Sequence, residues 1–116
     1  MGTAIHIVEP TLADEAGHCH AFVEALCRAG SDPGAFRVWC AADARLPVLE
    51  ALGVPLERRF HRRLRRLEEW SLLRRLLRGD GRVLVSTAGR TDLLLLDWAA
   101  RGRIPPRKAF AYVHWV

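Results

Sequence analysis

The sequence predicts an α/β domain: a doubly wound, Rossmann-like parallel sheet of about five strands, in the order 3-2-1-4-5. Three observations carry that prediction. Strand-like and helix-like segments alternate along the whole chain. The strand segments are nearly continuous apolar runs, as expected when helices cover both faces of a parallel sheet. Each connection is long enough for a right-handed helical crossover. With 116 residues, the chain fits one domain, 1–116.

Residues Ala4 to Val8, "AIHIV", form the first strand, and Glu9-Pro10 end it. Asp14-Glu15 open a helix with Phe22, Val23, Leu26 and Cys27 on one stripe, stopped near Ala29-Gly30. "SDPGA" is a turn, and "FRVWCAA" (36–42) is the second strand. "LPVLEAL" (46–52) is a short helix closed by Gly53, and a weaker third strand lies within 54–60. From Arg62 to Arg78 the pattern recurs at helical spacing through Leu64, Leu67, Trp70 or Ser71, Leu73 or Leu76, and Leu77, with arginines opposite. "GDG" (79–81) stops this helix. "RVLVST" (82–87) is the fourth strand and "TDLLLLDWAARG" (91–102) the last helix, with Thr91 as its expected N-cap. After Pro105-Pro106 the chain closes in the apolar strand "KAFAYVHWV".

Half of the residues are hydrophobic, enough for a normal core, and no apolar run approaches the roughly 18 residues of a membrane span. Cys19, Cys27 and Cys40 form no paired spacing and read as reduced thiols, which points to a cytoplasmic protein. The formal charge of +5 is local. Ten arginines stand against Glu68, Glu69 and Asp80 between Arg58 and Arg82, a balance of +7, while the rest of the chain sums to −2.

Ligands of open α/β sheets bind beyond the carboxyl ends of the strands. Three groups of residues are candidates there, and a fourth candidate is the basic helix face. Ala16 and Gly17 lie near the start of the first helix, where free N–H groups suit a phosphate. Ser86 and Thr87 end the fourth strand with two hydroxyls. His114 stands in the closing apolar strand, either as a functional group or as a core histidine satisfied by a carbonyl. Arg62, Arg63, Arg65, Arg66 and Arg74 form a basic helix face. That face is a solvated surface or a contact for anionic membrane headgroups. Nucleic acid is not expected, because neither aromatic interleaving nor a helix-turn-helix pattern accompanies the arginines. "HCH" (18–20) lacks metal-ligand spacing, since residues two apart do not share a helix face, so no metal is expected and solvated histidines are. There is no G-x-G-x-x-G, P-loop or G-x-S-x-G motif.

Two stretches, "AGHCHAFVEALCRAGSDPGAFRV" and "GRVLVSTAGRTDLLLLDWAARGRIPPRKAFAYVHWV", follow the course of a known domain. The chain resembles the N-terminal Rossmann-like domain of GT-B glycosyltransferases, especially the large retaining family 4. Gly17 matches the family's glycine loop, near the donor diphosphate, and His114 matches its strand-end histidine, near the transferred sugar. The resemblance implies a catalytic role for His114 and substrate or phosphate contacts at Gly17, Ala16, Ser86 and Thr87. The pattern departs at Ala16, which replaces a glycine, and at Ser86-Thr87, which replace a histidine-rich strand end. The family's donor-binding domain, with its E-x7-E-type motif, would lie after residue 116. The chain is therefore expected to be a fragment or truncated relative, inactive alone, holding no cofactor of its own. A nucleotide-sugar donor is implied for the full-length enzyme, with a glycan or lipid-linked acceptor and a peripheral place at the inner face of a membrane. The alternative is a stand-alone Rossmann-like binding or interaction module. In either case the apolar last strand is expected to offer an edge for a homodimer.

Overall fold

The computed structural model describes residues 4–30, 32–79, 81–101 and 108–113. Its elements are β1 (Ile5–Val8), α1 (Gly17–Ala29), β2 (Phe36–Ala41), α2 (Pro47–Ala51), β3 (Leu56–Phe60), α3 (Arg65–Arg78), β4 (Arg82–Ala88), α4 (Arg90–Ala99) and β5 (Ala109–Val113). All neighbouring strands pair in parallel, and the sheet order is β3-β2-β1-β4-β5, as the alternation predicts.

Side-chain alternation along the strands divides the core into two layers. Ile7, Val38 and Cys40 point to one face and pack with Leu12, Val23, Cys27, Leu46 and Leu49, under α1 and α2. Val8, Trp39, Val83 and Val85 point to the other face and pack with Leu72, Leu73, Leu76 and Leu77 of α3 and Ala99 of α4. The winding therefore reverses between β1 and β4. The α3/α4 layer also holds a polar pair: Trp39 Nε1–H donates to His6 Nδ1 at 3.1 Å, and the Arg75 guanidinium lies 5.5 Å from the Trp39 ring.

Several boundaries move for identifiable reasons. Asp14 does not open α1; its Oδ1 accepts the Ala16 N–H at 3.0 Å and forms a turn, so α1 starts at Gly17. Thr91 is not the N-cap of α4. Gly89 holds that position, and Asp92 Oδ2 accepts its N–H at 2.8 Å. In "SDPGA", Asp32 Oδ1 accepts from Gly34 N–H and caps a single 3-10 turn over Pro33–Ala35. Gly81 enters β4 at φ 94° with the Ala4 carbonyl only 2.3 Å from where a Cβ would stand, so only glycine fits there. Lys108 is buried, and its Nζ donates to the carbonyls of Gly79 and Gly81 at this same turn.

The largest correction concerns α3. The stripe expected to be buried begins at Leu64 and Leu67, yet these are 55% and 63% exposed. Glu68 and Glu69 turn inward with Leu72, Leu73, Leu76 and Leu77. The carboxylates are taken up by local partners. Glu68 accepts from Arg59 Nη1, His61 N–H and His61 Nδ1, at 2.5, 2.7 and 2.9 Å. Glu69, fully buried, is only partly satisfied: its Oε1 accepts from Arg66 Nη1 at 3.1 Å, while Oε2 has no hydrogen-bond partner among the described residues.

Candidate functional site

The strand order reverses between β1 and β4, where open α/β sheets bind ligands, and a buried polar bridge spans the carboxyl ends of these two strands. Glu9 follows Val8 at the end of β1 and is 2% exposed. Its Oε1 accepts from Thr11 Oγ1 at 2.6 Å, and its Oε2 accepts from Ser86 Oγ at 3.0 Å. A carboxylate buried at this depth requires hydrogen-bond donors. Here they come from the loop after β1 and from the end of β4, so the bridge spans the reversal. Ser86 is buried too, and its hydroxyl hydrogen is spent on Glu9. Towards a ligand, its oxygen keeps only acceptor capacity. Thr87 lies next to it in β4.

Ala16 is the N-cap of α1, and Gly17 is its first residue. Ala16 itself supplies no side-chain cap. The loop leading to it is braced from both sides: Leu12 and Ala13 carbonyls accept from Ala41 and Arg45 N–H, and Glu15 Oε2 accepts from Val48 N–H at 2.8 Å. His20 is not solvated. It is buried in α1, with Glu15 and Glu24 oxygens each 3.6 Å from its ring nitrogens. His114 lies outside the described residues. The thiols of Cys27 and Cys40 are both pushed up to about 11 by burial, which leaves them unreactive.

The structure divides the arginine face into three. Arg66 is engaged, bridging Glu69 at 3.1 Å and Asp92 of α4 at 2.8 Å. Arg74 lies 5.5 Å from the ring of Trp70. Arg62, Arg63 and Arg65 form no ion pair among the described residues. Arg62 and Arg65 instead line a cavity of about 200 Å³ with Pro10, Thr11, Ala13, Ala41, Asp43 and Phe60. These residues come from the carboxyl ends of β1, β2 and β3 and from the start of α3, so the cavity opens on the ligand side of the sheet.

Beside the arginines, Leu64, Leu67, Leu94 and Trp98 are all more than half exposed. Leu67, Trp70, Leu95 and Trp98, with Arg66, line a second hollow of about 310 Å³ between α3 and α4. The Trp70 and Trp98 rings are 5.5 Å apart.

Two features escape a reading of the sequence. Glu9 had one available signal, an acidic residue closing an apolar strand directly before proline. The cavity had none, since its lining residues meet only when three strands are aligned. Comparison with protein-family models, curated proteins and solved structures found no match.

Proposed function

We propose that this domain is the acceptor-side, Rossmann-like portion of a sugar-nucleotide-dependent glycosyltransferase and is inactive by itself. The observation that carries the reading is the buried Glu9–Ser86 bridge at the β1/β4 reversal. There α1 opens at Ala16-Gly17, beside that bridge. A helix N-terminus whose N-cap residue, Ala16, has no capping side chain suits an anionic or hydroxylated ligand. The likeness of the glycine loop to family 4 glycosyltransferases supplies the chemistry, with His114 as the proposed catalytic residue.

The test is a glycan array combined with calorimetry. The domain is expected to retain oligosaccharide acceptors on the array and to show no micromolar affinity for any sugar nucleotide. Micromolar binding of a sugar nucleotide overturns the acceptor-side assignment. A blank array, with neither class bound, favours the stand-alone interaction module.

Peripheral membrane contact belongs to the same proposal, favoured by the exposed Leu64, Leu67, Leu94 and Trp98 on the helix pair that also carries Arg65 and follows Arg62 and Arg63, which form no ion pair among the described residues. An apolar patch flanked by cations suits an anionic bilayer surface. No helix among the described residues is long and apolar enough to cross a membrane. In flotation assays the domain is expected to rise with anionic vesicles at 0.1 M salt. It should dissociate towards 1 M, where the Debye length falls from about 10 Å to about 3 Å. Equal flotation with neutral vesicles, or none with either, removes the membrane from the proposal.

A further inference from the structure

We propose that the cavity between Arg62, Arg65 and Asp43 binds a phosphate ester that carries hydroxyl groups, such as a sugar phosphate. This deepens the acceptor-side reading and rests on it for the carbohydrate part.

The cavity separates two kinds of polar group. Arg62 and Arg65 bring guanidinium donors that no carboxylate occupies among the described residues. A pair of such groups matches the oxygens of a phosphate by parallel N–H bonds. Asp43 also lines the cavity, exposed, with no ion pair or hydrogen bond among the described residues. A carboxylate there opposes a simple anion, yet it is a good acceptor for sugar hydroxyls. A bare phosphate is therefore a poorer fit than a phosphate joined to a polyol. Thr11 adds wall rather than donor, because its hydroxyl hydrogen goes to Glu9. Pro10, Ala13, Ala41 and Phe60 supply apolar surface for the carbon skeleton.

The walls are fixed before any ligand arrives. Ala41 N–H donates to the Leu12 carbonyl, Ala42 N–H to the Phe60 carbonyl and Arg45 N–H to the Ala13 carbonyl, at 3.0, 2.8 and 2.8 Å. Three loops are thus laced together around a volume of about 200 Å³, which suits one small headgroup. The same chemistry occurs in a soluble sugar phosphate and in a phospholipid with a polyol headgroup, so the experiment must separate the two.

Amide chemical shifts of the labelled chain report the site. The probes are glucose 6-phosphate, inorganic phosphate, glucose and phosphatidylglycerol vesicles. Glucose 6-phosphate is expected to shift amides of residues 11–13, 41–45 and 60–65, and to bind more tightly than phosphate or glucose. Arg62→Gln with Arg65→Gln should weaken it tenfold or more. Asp43→Asn should weaken it several-fold while leaving inorganic phosphate as tight or tighter. Vesicle binding that depends on both arginines and on Asp43, without binding of glucose 6-phosphate, assigns the same site to a lipid headgroup. The proposal is overturned by no shift with any phosphate probe, by affinity indifferent to the arginines, or by vesicle binding indifferent to Asp43 in the absence of soluble binding. Glucose binding as tightly as glucose 6-phosphate also overturns it, but leaves the carbohydrate reading standing. All the substituted side chains are at least partly exposed, and thermal melts confirm that the variants fold.

Discussion

The two faces of the outer strands β4 and β5 are covered unequally. On one face Val83 and Val85 are sealed beneath α3 and α4. On the other, Leu84 and Phe110 stand opposite each other in the strand register and line an open groove of about 410 Å³. Phe110 is 46% exposed there. The difference follows from the winding. The crossovers β1–α1–β2 and β2–α2–β3 cover β1 to β3 on one side, and the reversal sends α3 and α4 to the other. Among the described helices only α1 reaches the rim of the groove, through Leu26 and Ala29 with the following Gly30. Residues one step apart on the same strand therefore carry different energetic weight.

The largest expected effect tests that weight directly. Leu73 is fully buried in the covered layer. Leu73→Ala should cost about 2–5 kcal/mol, the range for truncating a buried leucine in a core that cannot collapse around the cavity. Leu84→Ala removes the same atoms from a partly exposed wall and should cost less, about 1–2 kcal/mol, in proportion to the apolar area already exposed. Urea denaturation of the two variants gives both values. Equal costs would show that Leu84 is sealed in solution.

The covered face has an internal weakness of its own. Glu69 is pushed up to about 8 from the ordinary 4.5, first by burial and then by the neighbouring Asp92 carboxylate, with Arg66 acting in the opposite sense. The folded state therefore holds a proton that the unfolded chain releases above about pH 4.5. Stability from this group is complete below that pH and is lost as pH rises through about 8. Glu68, the preceding residue of α3, has the opposite sign. Burial raises it, but the His61 hydrogen bonds and the Arg59 charge outweigh burial and lower it, so its stabilisation is lost in acid. Glu69→Gln should flatten the alkaline limb and gain about 1 kcal/mol or more at pH 9, with little change at pH 5. Thermal melts at the two pH values check this, and an unchanged alkaline limb would assign the loss to another group.

The contrast between legible and illegible features has the same physical root. The strand order followed from local patterns, because runs such as "AIHIV" and "RVLVST" are apolar on both sides and the links between them are helical. The face of α3 did not follow, because Glu68 and Glu69 are buried by partners on β3, the β3–α3 loop and α3 itself, and helical periodicity counts them as surface. The Glu9–Ser86 bridge joins residues 77 positions apart. The arginines looked alike in sequence; Asp92, Trp70 and the cavity separate Arg66, Arg74 and the pair Arg62 and Arg65. Long-range pairing of polar groups is what a periodicity argument cannot supply.

The smallest effect on stability is expected at the outer edge of β5, beside the open groove. β5 pairs with β4 alone among the described strands. Val83 N–H donates to the Lys108 carbonyl at 2.9 Å. Successive peptide groups of a strand alternate in direction, so the backbone groups of Phe110 also face β4 and those of Ala111 face outward. An outward row of unpaired N–H and C=O groups is a template for a second chain. Two copies joined antiparallel across a two-fold axis would extend the sheet and bury Phe110 with the open groove. Each added hydrogen bond contributes roughly 0.5–1.5 kcal/mol net. We therefore expect association that rises with concentration in sedimentation experiments. Ala111→Pro removes an outward N–H and leaves the β4 ladder intact, so it should abolish association with little change in the urea midpoint. A fall in the midpoint of the monomer would mean that Ala111 faces β4. A native chain that stays monomeric at several hundred micromolar would mean that edge and groove are already covered, and Leu84→Ala should then prove as costly as Leu73→Ala.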